Sequence, residues 1–361
     1  MKKVLAVLLA VILLSVPFSG CYKSADVLTI DGYAIYPGLY LYFQLQAISE
    51  AGVKLNYLYS GKEIFDQTID GVPARDWINN RTIEYAKEFA FVDSEYNRLD
   101  LDEESLAREM GYYEYTLRSE WQQTNYFYSR NGIGYETYSK VFEFNLKSNQ
   151  VFNTLFVEEG GELETPEDEI KEYFIDNYTY LDYLRLPKTD DEQNALDTAE
   201  LSDLRGEAIS MLLEAREAAG EADSIYVDSV NTGLQAAFEL YLETNDIPED
   251  ETDDERNKIV AEDVVVRSDN TSFEGNFIDN LFKAPYDSFE FLETELYFYI
   301  FCRRSMLDDD PDSWKDYKTS IVTELSADTF LDYVAEKSLL LSYSENKGAR
   351  RYFSLNKAYF V

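Results

Sequence analysis

From Val27 to Ile35 apolar and polar positions alternate around the pair Asp31-Gly32, which predicts a small β-hairpin closed by an Asp-Gly turn. Pro37 is suited to the first position of a helix, and Leu39, Tyr42, Phe43, Leu45 and Ile48 then recur at helical spacing, with Gly52 near the end. A stretch rich in Gly, Tyr and Asp, including Gly61 and Gly71, separates this helix from a second one. That pattern begins at Asp76 and carries Trp77, Ile83, Ala86, Ala90 and Val92 towards Leu99. Leu101-Asp102-Glu103-Glu104-Ser105 puts acids where the helix dipole favours them. Helices are predicted over roughly 103–129 and, after the Gly132-Ile133-Gly134 break, over 135–157. Thr165-Pro166-Glu167-Asp168-Glu169 starts another helix, ending near Asn177, and Tyr180 to Leu186 alternates like a strand that Pro187 closes.

Beyond Pro187 the pattern becomes mixed α/β. An acidic linker and a helix span 190–219, Ser224 to Val230 reads as a strand or loop, and Thr232 to Leu242 as an aromatic turn or helix. Ile247 to Asn257, with its runs Pro248-Glu249-Asp250-Glu251 and Thr252-Asp253-Asp254-Glu255, reads as a solvated loop. The segment Val264 to Arg267, a helix from Asn276 to Phe282 and a strand from Leu296 to Cys302 finish the unit. Asp308-Asp309-Asp310-Pro311-Asp312 reads as an acidic hinge before a C-terminal helix that starts at about Ser313. Its apolar face holds Ile321, Leu325, Phe330, Tyr333 and Val334 and is broken near Ser326. The chain carries no internal repeat.

The first residues change the picture of where this body resides. Lys2 and Lys3 precede an apolar run from Val4 to Val16, too short for a bilayer span of about 20 residues. Residues 1–20 therefore read as a secretory signal peptide. Phe18-Ser19-Gly20-Cys21 looks like the lipobox of bacterial lipoproteins. Cys21 is then the lipidated first residue of a tether over 21–26, on the extracytoplasmic face of the cell membrane. An ordinary signal peptide cut near Gly20 is the alternative. Only Cys302 remains besides Cys21, so an internal disulfide is impossible, and in its apolar run the thiol acts as a small buried hydrophobe.

A formal charge of -38 sets phosphates and nucleic acids against this chain, and the sequence gathers no basic patch to offset it. The same charge attracts cationic or partly unfolded basic chains, although solubility alone explains it equally well. The 30 Tyr and 22 Phe mean that much of the buried surface must come from rings. Leu39 to Phe43 with Tyr113, Tyr115, Tyr126, Phe127 and Tyr128 forms an aromatic stripe that serves either as exposed client-binding surface or as helical core.

With no histidine the chain has no Ser/His/Asp or Cys/His arrangement and no His-based zinc site. It has no Walker loop and no dinucleotide fingerprint, and Asp308, Asp309, Asp310 and Asp312 lack the glycine turn and distal glutamate of an EF-hand. No cofactor and no metal are expected. Paired carboxylates for glycoside hydrolysis stay open among 70 acids, since their spacing is spatial.

Three segments, in order, carry a family resemblance. They are Val27 to Ile35 with the aromatic helix after it; Gly132 to Tyr138 with a long helix and then Thr165 to Phe174 and Asn177-Tyr178; and Phe277 to Lys283 followed by Tyr297 to Phe301. Together they resemble SurA, PrsA and trigger factor, the parvulin-linked foldases. The resemblance implies an α+β chain: a mostly helical chaperone lobe over 27–179, a parvulin-like α/β module over 180–306, and a C-terminal helix and tail over 307–361 returning to the lobe. Parvulin sites resemble one another in two histidines facing each other across the sheet. Here Tyr183 and Tyr299 stand at those positions, and a phenol with an ordinary pKa near 10 is a poor proton shuttle. The family's glycine-rich loop is replaced by Asn270-Thr271-Ser272-Phe273-Glu274-Gly275. The resemblance thus implies a foldase or holdase for unfolded, newly exported proteins, with a degenerate module and no catalytic residue. The alternatives are a surface lipoprotein that binds a solute or glycan, and an active prolyl isomerase. Oligomeric state stays open.

Overall fold

A computed structural model describes residues 25–56, 61–190, 192–221 and 227–358; the leader and Cys21 lie outside them. The chain is α+β and divides into two units, one made of the chain up to Glu164 and from Leu325 on, the other of Thr165–Glu324.

The first unit opens with strands β1 (Leu28–Ile30) and β2 (Tyr33–Ile35), joined by Asp31 and Gly32 with φ of 42° and 91°. Two successive left-handed residues make the turn whose twist suits a hairpin, and Asp-Gly tolerates that conformation best. Helix α1 (Pro37–Lys54) follows, with proline in its first turn. A Cβ on Gly38 would run into the Thr137 hydroxyl, so only glycine lets the backbone come this close. The short strands β3 (Thr68–Ile69) and β4 (Val72–Pro73) lead into α2 (Ala74–Arg98), α3 (Glu103–Arg130) and α4 (Tyr135–Phe152), the last ending in a π turn over Asn153–Val157. Leu28, Ile30, Ile35, Leu39, Phe43, Ala86 and Phe89 share one core. Phe89 stacks on Phe144 with ring centroids 4.7 Å apart and meets Phe43 at 5.5 Å. Each such ring removed from water contributes about 1.5–3 kcal/mol.

The second unit starts with α5 (Glu167–Asn177), which runs without a loop into β5 (Tyr178–Pro187). Then come α6 (Thr198–Glu221), α7 (Val227–Thr244), α8 (Thr252–Ile259), β6 (Val260–Arg267), α9 (Phe277–Leu281), β7 (Phe289–Glu293), β8 (Tyr297–Arg304) and α10 (Met306–Asp309). The strands form one antiparallel sheet in the order β6-β5-β8-β7. Strand alternation sorts its side chains onto two faces. Leu184, Leu186, Phe298, Ile300 and Cys302 face Met211, Ala215, Leu234 and Phe238 of α6 and α7, while Leu181, Tyr299 and Phe301 face Phe277 and Leu281 of α9.

Helix α11 (Lys318–Leu339) begins in the second unit and ends in the first, where Phe330 meets Phe152 at 5.4 Å and Tyr333 meets Phe91 at 5.7 Å. Strand β9 (Tyr343–Glu345) then pairs antiparallel with β1, Leu28 opposite Glu345, giving the order β2-β1-β9. Helix α12 (Lys347–Tyr352) places Ala349 in the first core, and Leu355 enters a second core with Ile48, Phe65 and Ile78. No described helix is long and apolar enough to cross a membrane.

Several local readings are corrected. Ile247 to Asn257 is not a solvated loop: a 3-10 turn over Glu249–Glu251 leads into α8. Asp253, Asp254 and Glu255 suit its first turn, Ile259 is buried at its end, and the Tyr241 hydroxyl donates to Glu255 at 2.8 Å. The stretch from Val227 to Val230 belongs to a helix, and Thr232 to Leu242 continues it. Asp308 and Asp309 form α10 rather than a hinge, because Asp309 is bound by Arg304.

Arg304 is the most buried cation, 1% exposed, and Asp182 beside it is fully enclosed. Its Nε donates to Asp182 Oδ2 at 2.6 Å, and the other guanidinium nitrogens donate to Asp263 and Asp309. The Asp263 amide donates to Asp182 Oδ1 at 2.7 Å, across the point where the β5–β6 register shifts. Burial pulls the Arg304 pKa down, but the Asp182 hydrogen bond and the three carboxylate charges outweigh it, so the guanidinium holds its proton more tightly than usual. Burial pushes the Asp182 carboxyl up, and the bonds from Arg304 and the Asp263 amide offset only part of that.

Replacing Asp182 by Ala leaves the Arg304 Nε and the Asp263 amide without their acceptor, although Asp263 and Asp309 still pair with the guanidinium. It should cost about 1–3 kcal/mol in urea denaturation, whereas the double change Asp182→Leu, Arg304→Met should recover most of the loss. Cys302 is fully buried, and burial pushes its thiol far above the usual range. In a chain beginning at Tyr22 the thiol should therefore resist a thiol reagent such as DTNB at pH 8 until denaturant is added.

Candidate functional site

Two surfaces are candidates for a functional role, one in each unit. In the second unit the β5–β8 register sets Tyr183 opposite Phe301 and Arg185 opposite Tyr299, so Tyr183 and Tyr299 are diagonal neighbours on one face. Their ring centroids lie 5.8 Å apart at 70°. Phe273 sits 6.1 Å from Tyr183, Phe277 4.5 Å from Tyr299, and the two Phe rings stack at 4.8 Å. The Arg185 guanidinium lies 5.0 Å from the Tyr297 ring and 5.8 Å from that of Tyr183.

Burial pushes the Tyr299 phenol up to about 12, against the pull of Arg185 and with a smaller push from Glu274. It is a neutral hydroxyl at pH 7 and a poor general base there. The segment Asn270 to Gly275 holds Phe273 against this face. Its Glu274 carboxylate accepts from the Leu296 amide at 3.2 Å and from the Thr294 hydroxyl, which pins the β7–β8 turn.

In the first unit the aromatic stripe separates into three environments. Leu39, Tyr40 and Phe43 are core. Tyr128 is half-buried, stacked between Tyr42 at 6.1 Å and Trp121 at 6.2 Å, while Phe127 meets Tyr128 edge-on at 5.5 Å. Tyr115 is 85% exposed, Tyr126 63% and Tyr112 80%. Of the 28 residues of α3 only Leu106 and Leu117 are buried.

Tyr112, Tyr115 and Tyr126 are three and then eleven positions apart, close to whole turns at 3.6 residues per turn, so they share one outward face. The Arg130 guanidinium sits 5.0 Å from the Tyr126 ring, and Arg118 donates to Glu114 at 2.7 Å, which keeps the charges between the rings satisfied. An exposed phenol ring presents apolar area with a polar edge, suited to transient contact with apolar side chains and peptide groups. Sequence reasoning passed over Tyr112. Its signal was the three-residue spacing to Tyr115 on a helix with few apolar positions.

A cavity of about 410 Å³ also opens in the first unit, walled by Pro37, Leu41, Leu45 and Phe353 with Gln44 and Lys357 among its polar groups.

No family model matches this sequence, and no curated protein matches it. Among solved structures the chain is similar to the foldase protein PrsA of Streptococcus pneumoniae, with 15% identity and a TM-score of 0.31 over 76% of this chain and 89% of that one. It is also similar to the foldase protein PrsA of Lactococcus lactis, with 12% identity and a TM-score of 0.35 over 93% of this chain and all of that one.

Because Tyr112 and Tyr115 are 80% and 85% exposed, Tyr112→Ser and Tyr115→Ser should each change unfolding free energy by no more than about 0.5 kcal/mol. Leu117→Ala, on the packed face of the same helix, should cost about 2–5 kcal/mol in urea titrations.

Proposed function

We propose that this protein is a holdase: a chaperone, anchored to the outer face of the cell membrane through a lipid on Cys21, that binds unfolded stretches of newly exported proteins. The observation that carries the reading is the row Tyr112, Tyr115 and Tyr126, large rings left in water on a long helix that hides only two side chains. A binder of unfolded chains needs such surface, because it must exchange solvent for client contacts without unfolding itself. The charge of -38 adds a long-range attraction for basic clients and keeps copies of the protein apart.

On this reading the second unit is a parvulin-like module without catalysis. Supporting that are the four-stranded antiparallel sheet, the ring-to-ring contact of Tyr183 with Tyr299, and the packing of Phe273 and Phe277 over the same face. Twisting a prolyl amide over its barrier of about 18–20 kcal/mol requires a pocket that admits the proline. Rings in mutual contact occupy much of that face.

A second reading, a surface protein that takes up a solute or glycan, is favoured by the 410 Å³ cavity, which falls in the size range of small-molecule sites. Its mark is a rise in melting temperature with added sugars or peptides.

The holdase should suppress aggregation of a chemically unfolded client at near-stoichiometric ratios. The triple change Tyr112→Ser, Tyr115→Ser, Tyr126→Ser should lose most of that effect while circular dichroism stays unchanged. Proline-limited refolding of a test protein should not be accelerated. Acceleration that Tyr183→Phe and Tyr299→Phe abolish would overturn the inactive-module reading.

A further inference from the structure

The sequence shows no gathered basic patch, and the fold corrects this. A second cavity in the first unit, about 390 Å³, is lined by Arg75, Lys347, Arg350 and Arg351, with Glu345 the one acid among its walls. Arg75 belongs to the first turn of α2 and the other three to α12, so the cluster exists only once the end of the chain has come back.

These cations are not equivalent. Arg350 is committed: it donates to Glu345 and to the Tyr40 hydroxyl, and it lies half-buried. Arg75 donates to the Asn356 side-chain oxygen at 2.8 Å and lies 4.9 Å from the Phe65 ring, so its contacts are neutral. The side chains of Lys347 and Arg351 make no ion pair or hydrogen bond among the described residues. Three positive charges without a carboxylate therefore share one cavity, in a chain where 70 acids face 32 bases. The remaining polar lining, Asn79, Ser354 and Asn356, supplies uncharged hydrogen-bonding groups.

We propose that this cavity binds a phosphate group. A single carboxylate is saturated by one guanidinium fork, whereas a phosphate has oxygens for donors arriving from several directions. Arg75 on one element and Lys347 and Arg351 on another provide that arrangement. The net charge of the whole chain does not forbid it, since charges farther than the Debye length of about 8 Å at physiological salt are largely screened. The phosphate is either free, as the inorganic ion or a soluble ester, or part of an anionic lipid headgroup.

The test uses the chain from Tyr22 to Val361, which contains every described residue. Inorganic phosphate is titrated at constant ionic strength against chloride, read by calorimetry and by melting temperature. In parallel, sedimentation is measured with vesicles of phosphatidylcholine alone and with added phosphatidylglycerol. Saturable binding of phosphate is expected, weakened about tenfold or more in Lys347→Ala, Arg351→Ala, with Arg351→Lys intermediate because it keeps the charge but loses the fork. Phosphate binding without vesicle capture assigns a free phosphate or soluble ester. Capture that needs phosphatidylglycerol and both side chains assigns a headgroup. Absence of saturable phosphate binding, binding unchanged in the double variant, or tighter binding of a glutamate-rich peptide than of phosphate would each overturn the proposal. Both changed side chains lie at the surface and outside the two cores, so the double variant should melt with the parent.

Discussion

Strand β1 is hydrogen-bonded on both sides, by β2 next to it in sequence and by β9 from the far end of the chain. A two-stranded hairpin of three-residue strands is marginal in water, and its open edge would invite pairing with other chains. The returning segment removes that edge. It also delivers Ala349 and Leu355 to two separate cores, and the Gln44 amide reaches across to the Phe353 carbonyl at 3.3 Å. Helices α1 and α2 are thus packed from one side by residues that arrive last. Everything read from the first unit, including the basic cavity, presupposes this closure.

The second unit solves a different problem. Its sheet is covered by apolar side chains from α6 and α7 on one face and by rings on the other, and a fully buried arginine pins one end. Arg304 ties β8 to β5 through Asp182, to β6 through Asp263 and to α10 through Asp309. Asp263 adopts a left-handed φ of 54° where the β5–β6 register shifts, and the amide that this conformation presents is the one that Asp182 accepts. A buried pair like this is a weak source of net stability but a strict condition on register, because a slip of one residue would leave a bare charge inside.

What the sequence revealed and what it hid follow from whether the cause was local. The Asp31-Gly32 turn, Pro37 at a helix start, the Thr165 to Glu169 signal and the alternation of β5 are local causes, and those elements stand where the pattern put them. Helix α8 was hidden because acids that read as solvated also suit a helix's first turn, and the anchoring Ile259 lies after them. Strand β9 was hidden because its three residues carry no apolar alternation; its cause is β1, about three hundred positions earlier. Tyr183 and Tyr299 lie side by side because strands β5 and β8 pair, a contact set by register and not by local pattern. The rings of Phe273 and Phe277 over the same face were not legible either. Exposure of Tyr115 and Tyr126 was half legible and that of Tyr112 was not: the stripe was visible without Tyr112, and which rings face water depends on how narrow the contact of α3 with its neighbours is.

The second unit is continuous in sequence, while the first is split around it, and this sets an order of completion for any chain delivered from its N-terminus. Residues 165–324 can reach their final arrangement as soon as they emerge, but the hairpin made at the outset waits for its third strand. For that interval the nascent polypeptide carries an unfinished edge and uncovered rings of its own, and is itself the kind of chain that helper proteins guard.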